Sequence, residues 1–462
     1  MSSVGDTVQT IAAYFGNAAE WYDFAIYGFF SDTIAQVFFP PSSAGHANLV
    51  MSYIVFGCAF FIRPLGGIIT GHIGDKLGRK RAVVFSLCCM TFPTVAMGCL
   101  PTYEQVGGWS TALLVFCRML QGFSVGGQLP SSLVYTLETK PKEHWGFYGS
   151  LVNATGCIGS IGGNLVGAII RSLLSDDQLV QWGWRVAFLT GILVAPVAAY
   201  LHVYGVEHNP NEGEFNRQDE DVNIDNIQVG DMSTEQSSPL KESLRRENWA
   251  ALLTALLTPM LGGAGYYLTF VWMAIFMSSL IDSPIDGAFW VNLIANIVSM
   301  VAVVGAGWLS DIYGHDKLMV TGAISTGLLA PIFLWIISWG RTLEAVFAQN
   351  ALGVLFALFC GPLLAWLPMK FPPKVRLTSA ALGYNLAICI SAGFSPAVAT
   401  VLFRDFGPVA PGLIYTFFAI MALIGMFVST KIPLDEGGKA QTSLQEETTD
   451  SMGDLTARLV LA

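Results

Sequence analysis

Long apolar runs recur along this chain, separated by short polar or charged segments. Apolar residues make up 53% of it and charged residues only 12%, whereas a soluble globular chain carries roughly 25% charged residues. Because the hydrocarbon core of a membrane offers no water to the backbone, runs of this length must form helices. We predict an all-α integral membrane protein with twelve transmembrane helices over residues 11–31, 49–71, 82–100, 110–137, 146–171, 183–205, 249–279, 288–308, 318–339, 344–369, 376–403 and 409–431.

Two charged segments with matching residues stand at corresponding places in the two halves of the chain. Residues 71–81 and 307–317 each lie between two apolar runs and carry Gly, Asp, Gly and a basic residue at the same offsets. The chain after the fourth and tenth predicted helices, at 139–142 and 371–374, also corresponds. This repeat predicts two pseudo-symmetric six-helix bundles with a substrate between them at mid-depth. We predict an N-terminal bundle over 11–205, an acidic linker over 206–248, a C-terminal bundle over 249–431 and a disordered tail over 432–462.

The charges predict how the chain crosses the membrane. If both ends, the linker and the even-numbered connections share one side, that side with its helix ends holds 17 of the 23 Lys and Arg residues. The other side with its helix ends holds four, and two lie in the helix interiors. The positive-inside rule then places the first side, with both termini, in the cytoplasm. We predict that the protein is located in the plasma or inner membrane. The net charge of −10 belongs to the linker and the tail, and no basic face indicates nucleic acid.

Enzymatic and metal-binding signals are missing from the sequence. The eight cysteines all fall in apolar runs without metal-binding spacing, and the six histidines are scattered. The sequence contains no Gly-x-x-x-x-Gly-Lys-Ser/Thr motif, which would indicate an ATP-driven pump. The polar first ten residues favour a first helix that is retained rather than cleaved as a signal peptide. We expect no enzymatic activity, no metal and no cofactor other than a co-transported proton.

Two acids lie near the middle of the first predicted helix. Glu20 and Asp23 are three residues apart, which places them on one helix face. An acid at that depth costs about 2.5–3.5 kcal/mol on insertion scales, so it must face protein or a wet cavity. Two neighbouring carboxyl groups do not ionise independently, which suits a proton-coupled carrier. A structural acid hydrogen-bonded to a neighbouring helix is the alternative, and the spacing favours neither residue over the other.

Two arginines lie inside predicted helices. Arg118 is deep enough in the fourth helix to meet the acids, and we predict that it binds a substrate carboxylate or pairs with Glu20 or Asp23. A permanent structural ion pair is the alternative. Arg63 lies nearer the cytoplasmic half and is predicted to be structural or gating.

Aromatic faces hold quaternary ammonium groups by cation–π attraction, although most membrane aromatics only pack. Further predicted substrate contacts are Tyr27, Gln121, Gln128, Asn153, Tyr266, Trp366, Tyr384 and Asn385.

Several motifs together resemble one transporter family. The pattern Gly-x-x-x-Asp-Lys-x-Gly-Arg-Lys at 71–80 resembles the Major Facilitator Superfamily. Residues 16–28, 63–67, 118–124, 182–185 and 382–385 are similar to the metabolite:proton symporter family, and the first helix is most similar to that of bacterial proline/betaine transporters. Two positions depart from the family pattern, because Gln128 stands where many members have Glu and Trp145 where many have Arg.

The resemblance implies a cytoplasmic latch that is closed when the carrier faces outward. Asp75 would meet a helix N-terminus of the other half, where the helix dipole favours an anion. Arg79 would pair with Glu138, with Lys80 beside it. In the second copy Asp311 corresponds to Asp75, but a histidine and an aspartate replace the two bases, so we expect a weaker latch there. Charge that only fixes the topology is the alternative.

These features predict a proton-driven symporter, monomeric, that carries a small polar organic metabolite by alternating access. One buried arginine, two acids and many aromatics favour a zwitterion such as proline or betaine. A citrate- or oxoglutarate-like di- or tricarboxylate is the alternative, although the second half offers no base within its helices. A non-transporting receptor or osmosensor on a transporter scaffold and a passive channel are alternatives of other classes.

Overall fold

A computed structural model describes residues 17–41, 46–77, 79–126, 133, 137, 140–194, 196, 249–370 and 376–430. Within these residues the chain is helical and contains no strand. The predicted linker over 206–248 and the tail over 432–462 lie outside them. Twelve helical segments fall where the apolar runs predict them, so the predicted fold class is confirmed.

The N-terminal half contributes six of these segments, of which the fourth and the sixth are described over only part of their predicted ranges. Its helices are α1 (residues 17–29), α2 (Ala47–Leu77), α3 (Arg79–Cys99), α4 (Gly108–Val125), α5 (Trp145–Leu173) and α6 (Trp184–Leu189). Short helices at Ser31–Val37, Tyr103–Val106, Lys142–His144 and Asp176–Gln178 connect them, and α6 has a π-helical turn before it, Leu179–Gly183, and a 3-10 turn after it, Thr190–Val194.

The C-terminal half contributes the other six. Its helices are α7 (Trp249–Leu280), α8 (Ala288–Tyr313), α9 (His315–Ile337), α10 (Thr342–Met369), α11 (Arg376–Phe406) and α12 (Gly412–Ser429). The helix α7 contains two π-helical stretches, Tyr267–Trp272 and Phe276–Leu280. Among the described residues, eight helices are long and apolar enough to cross a membrane, namely α2, α5 and all six of the C-terminal half.

The two halves meet along pairs of helices that the repeat relates to each other. The helix α2 packs against α11, and α5 packs against α8 and α10. Glycines allow the closest approaches, because a Cβ on Gly57 of α2 would lie 2.5 Å from the carbonyl oxygen of Gly393 in α11. At the other crossing a Cβ on Gly146 of α5 would lie 2.5 Å from the carbonyl oxygen of Gly307 in α8. Small residues at helix crossings bring the backbones into contact, and here they seat one half against the other.

Candidate functional site

A cavity lies between the two halves, and we call it the central cavity. Its walls come from α1, α2, α4 and α5 on one side and from α7, α8, α10 and α11 on the other. Small-molecule sites are concave, with a few polar groups among apolar walls. The central cavity has such a lining and lies between the two halves, which is the position of a site for a small organic molecule.

One acid and one base face this cavity as a pair. Arg63 Nη2 lies 3.4 Å from Glu20 Oε1, and the two side chains are 7% and 5% exposed. The guanidinium of Arg63 also lies against the ring faces of Phe24 and Phe60, at 4.9 and 4.3 Å from their centroids. Burying either charge without the other would be strongly unfavourable, so each stabilises its partner. Glu20 Oε2 and Arg63 Nε nevertheless have no hydrogen-bond partner among the described residues.

The second acid of α1 belongs to a separate cluster that does not line the cavity. Asp23 Oδ2 lies 3.2 Å from Arg118 Nη1, and Asp23 Oδ1 accepts hydrogen bonds from Thr94 Oγ1 at 2.6 Å and Gln121 Nε2 at 2.7 Å. Arg118 also donates to Gln121 Oε1 at 2.8 Å. The guanidinium of Arg118 is fully buried and lies about as close to the ring of Tyr27, at 4.5 Å, as to that of Phe24. Both oxygens of Asp23 thus have donors within the N-terminal half.

Aromatic side chains form one wall of the central cavity. Trp21 follows Glu20 on α1, and its ring lies 4.6 Å from that of Tyr266 and 6.0 Å from that of Tyr267, both on α7. Tyr266 in turn lies 5.3 Å from Phe270. Ring faces attract cations, most strongly where water is excluded. This aromatic wall, defined as Trp21, Tyr266, Tyr267 and Phe270, places such faces beside a buried carboxyl group.

Polar side chains of α8 and α10 hold the π-helical stretch that carries this wall. A π-helical turn leaves backbone carbonyl groups without their usual partners. Asn292 Nδ2 donates to the carbonyl oxygen of Phe270 at 2.8 Å, and Gln349 Nε2 donates to that of Thr269 at 2.9 Å. Gln349 Nε2 also contacts Asn292 Oδ1 at 2.5 Å. All these groups are buried, so the network fixes the irregular part of α7 against its neighbours.

Asparagines join the two halves at the cavity. Asn153 Nδ2 on α5 donates to the carbonyl oxygen of Cys360 on α10 at 3.3 Å, and Asn385 Nδ2 on α11 donates to that of Gly126, next to α4, at 3.2 Å. Asn296 also lines the cavity, and its Nδ2 has no partner among the described residues. Asn153 and Asn385 therefore contact the opposite half, and all three asparagines are within the cavity wall.

Asp311 joins the two halves at the end of the molecule that the charge distribution predicts to be cytoplasmic, and we call this contact the latch. Asp311 on α8 accepts hydrogen bonds from the backbone N–H groups of Gly146 at 2.7 Å and Phe147 at 2.8 Å. These are first-turn donors of α5, which have no partner within their own helix. The anion thus satisfies two such donors of the other half and lies where the helix dipole favours it.

The rest of the second charged segment carries an ion pair within the C-terminal half. Asp316 Oδ1 accepts a hydrogen bond from Trp366 Nε1 at 2.7 Å and lies 3.9 Å from Lys370 Nζ. By the repeat, Asp316 corresponds to Lys80 and Lys370 to Glu138, whereas the pair expected in the first half, Arg79 with Glu138, would correspond to His315 with Lys370. The expectation of a weaker second latch rested on the replaced bases, and the structure adds the two hydrogen bonds that Asp311 accepts from the other half.

The structure places the sequence-predicted residues in three groups. Glu20, Arg63, Asn153, Tyr266, Tyr384 and Asn385 line the central cavity. Tyr27, whose hydroxyl donates to the carbonyl oxygen of Ser52, does not line it, and neither do Asp23, Arg118, Gln121 and Trp366. Gln128 and Glu138 lie outside the described residues, as do the side chains of Asp75, Arg79 and Lys80.

Some cavity residues were not predicted from the sequence. Asn17 and Ser299 both line the cavity. Asn17 lies three residues before Glu20 and therefore on the same face of α1, which is the signal that could have identified it. Its Nδ2 donates to Thr155 Oγ1 on α5 at 2.7 Å, and its Oδ1 accepts from Trp21 Nε1 at 3.2 Å. Ser299 gives no comparable signal, because serines are frequent in membrane helices.

Two helical halves around a cavity with a buried ion pair and a latch between the halves define a membrane carrier rather than an enzyme. The family model described as Major Facilitator Superfamily matches residues 14–396. The chain therefore belongs to the Major Facilitator Superfamily, and the predicted family is confirmed.

Relatives and solved structures agree with this assignment. The chain is 29% identical over 451 residues to a proline/betaine transporter of Salmonella typhimurium, with 94% of this chain and 86% of the relative covered. It is 31% identical over 399 residues to the glycine betaine/proline/ectoine/pipecolic acid transporter OusA of Dickeya dadantii, with 85% and 76% covered. The partially occluded, inward-open xylose transporter XylE from E. coli has the same fold, with a TM-score of 0.69, 18% identity, and 92% of this chain and 98% of that chain covered. The protein is a multi-pass membrane protein and a secondary transporter of a small molecule.

Proposed function

We propose that this chain is a proton-coupled symporter for a small zwitterion such as proline or a betaine. The observation that carries the proposal is the central cavity itself, where a single Glu20–Arg63 pair stands beside the aromatic wall. A zwitterion offers one carboxylate and one cation. The carboxylate fits the guanidinium of Arg63, and the cation fits the ring faces of Trp21 and Tyr266. The names of the relatives support the same substrate class.

The cavity is less suited to the competing di- or tricarboxylate. Such a substrate brings two or three negative charges, while Arg63 is the one base among the cavity-lining residues that the structure describes, and it already faces Glu20. Burying uncompensated charge is strongly unfavourable. Transport would proceed by alternating access, with both ends and the linker on the cytoplasmic side and with a proton and the substrate entering from outside. Release would follow when the Asp311 latch opens.

Purified protein in liposomes tests the proposal. Uptake of labelled glycine betaine or proline driven by an acidic exterior is the expected result, with each substrate competing for the other. Trp21→Leu should weaken glycine betaine binding by about tenfold, because a desolvated cation–π contact is worth roughly 1–2 kcal/mol. Trp366→Leu is the matched control, since Trp366 does not line the cavity.

Three outcomes would contradict the proposal. Dicarboxylate uptake without competition by either zwitterion would replace the substrate class. Zwitterion uptake that ignores a pH gradient would remove the proton coupling. Binding with no uptake of any candidate would favour the receptor over the transporter.

A further inference from the structure

The two carboxyl groups of α1 differ in how completely the protein satisfies them. Asp23 accepts from Thr94, Gln121 and Arg118, which gives both of its oxygens a donor. Glu20 has a single contact, at 3.4 Å, to Arg63, and its second oxygen has no partner among the described residues although the side chain is buried. Several hydrogen-bond donors hold a carboxylate in its charged form, whereas a carboxylate with a single distant partner can separate from that partner.

The hydrogen-bond donors of Arg63 are likewise not all satisfied. Its Nε is buried without a partner among the described residues, while the rings of Phe24 and Phe60 cover the planar group. The Arg63 side chain held in this way is part of the wall of the central cavity. Binding a carboxylate with two parallel hydrogen bonds is the geometry for which arginine is suited, and Glu20 does not use it.

We infer that Glu20 and the substrate carboxylate compete for Arg63, and that this exchange couples substrate binding to proton uptake. The inference rests on the proposed function and names the residues of its coupling. When the substrate carboxylate takes the edge of Arg63, two carboxylates would face one guanidinium unless Glu20 accepts a proton. One proton therefore goes onto Glu20 for each carboxylate bound, and no covalent bond forms or breaks. The substrate cation rests on the aromatic wall. Asp23 takes no part in this exchange, because it is bound to Arg118 within the N-terminal half.

Proton uptake on binding can be measured with the unaltered protein. Binding of glycine betaine is titrated calorimetrically in two buffers with different ionisation enthalpies, at one pH. Glycine betaine has a quaternary ammonium group without an ionisable proton and a carboxylate that stays charged at neutral pH, so any proton taken up goes to the protein. We expect about one proton per glycine betaine. Choline is the control ligand, because it has the cation but no carboxylate, and its binding should take up none.

Variants assign the proton to one acid. Glu20→Gln mimics the protonated side chain and leaves Arg63 free, so glycine betaine should bind without proton uptake and exchange across the membrane by counterflow. Accumulation driven by one pH unit should fall from about tenfold to none. Asp23→Asn leaves Arg118 buried without its anion and should instead lower the melting temperature.

The outcomes separate this inference from the proposed function. If glycine betaine binds the wild type without proton uptake, or if choline takes up as many protons, competition for Arg63 is refuted while the transporter stands. If Glu20→Gln is folded but binds no glycine betaine, Glu20 holds the substrate cation and the inference is also refuted. If no zwitterion binds the wild type at all, the proposed function itself fails. The wild-type titration gives a result even if Glu20→Gln does not fold.

Discussion

Removing the charge of Asp311 should open the latch between the two halves. The carboxylate accepts from two backbone N–H groups at 2.7 and 2.8 Å, and Asp311→Asn keeps one acceptor oxygen but loses the charge and the second acceptor. Hydrogen bonds to charged groups contribute about 1.5–3 kcal/mol each, and an anion at a helix N-terminus contributes about 0.3–2 kcal/mol. When the latch is open, water hydrates the same groups, so we expect a net loss of about 2 kcal/mol for the closed state. That corresponds to about a thirtyfold shift toward the open state.

Hydrogen exchange reports this shift at the bonded amides themselves. Peptides that cover residues 145–150 should exchange about thirtyfold faster in Asp311→Asn than in the wild type, because Gly146 and Phe147 are protected only while the halves are latched. Asp316→Asn is the matched control. Its carboxylate contacts Trp366 and Lys370 within the C-terminal half and has no described contact to α5.

Two results would refute the reasoning about the latch. Unchanged exchange at residues 145–150 in Asp311→Asn would mean that the two hydrogen bonds do not limit separation of the halves. Equal acceleration in Asp311→Asn and Asp316→Asn would mean that loss of any acid near this end loosens the protein, rather than loss of the contact between the halves.

Further predictions concern stability and can be checked by thermal unfolding of the purified protein. Gly57→Ala should cost about 1–3 kcal/mol because its Cβ would meet backbone of α11, whereas Gly305→Ala, with nothing within 4 Å, should leave the melting temperature unchanged or raise it. An equal effect of the two would exclude a tight α2–α11 crossing. Asn292→Ala should cost about 1–3 kcal/mol by leaving the Phe270 carbonyl unpartnered, and an unchanged melting temperature would show that the π-helical stretch holds itself. Arg171→Met should cost about 2 kcal/mol by leaving the half-buried Asp32 unpaired, with Arg171→Met/Asp32→Leu recovering part of the loss.

Much of the fold follows from local properties of the chain. Apolar runs long enough to cross a membrane must form helices wherever they occur, so the twelve segments and their order are predictable from composition. The repeat of residues 71–81 at 307–317 adds the two-fold arrangement of the halves, because similar segments adopt similar folds. The spacing of Glu20 and Asp23 also places both acids on one face of α1. Each of these features depends on residues that are close together in the sequence.

The partners of those acids depend on residues that are far apart in the chain. Only the packing of α2 and α4 against α1 decides that Glu20 pairs with Arg63 at the cavity and that Asp23 pairs with Arg118 outside it. Helical periodicity specifies a face of one helix but not the helix that covers it. For that reason Arg63 lies in the cavity wall, where we expected Arg118, while Arg118 makes the predicted pair with Asp23 outside the cavity. Asp311 reaches the first turn of α5 for the same reason, since the crossing at Gly146 and Gly307 brings the two backbones together. The sequence by itself determined the helices, the family and which residues carry charge into the membrane. The tertiary structure decided which charges meet, because that depends on contacts between segments far apart in the chain, such as Asp23 with Arg118, 95 residues apart, and Gly146 with Asp311, 165 residues apart.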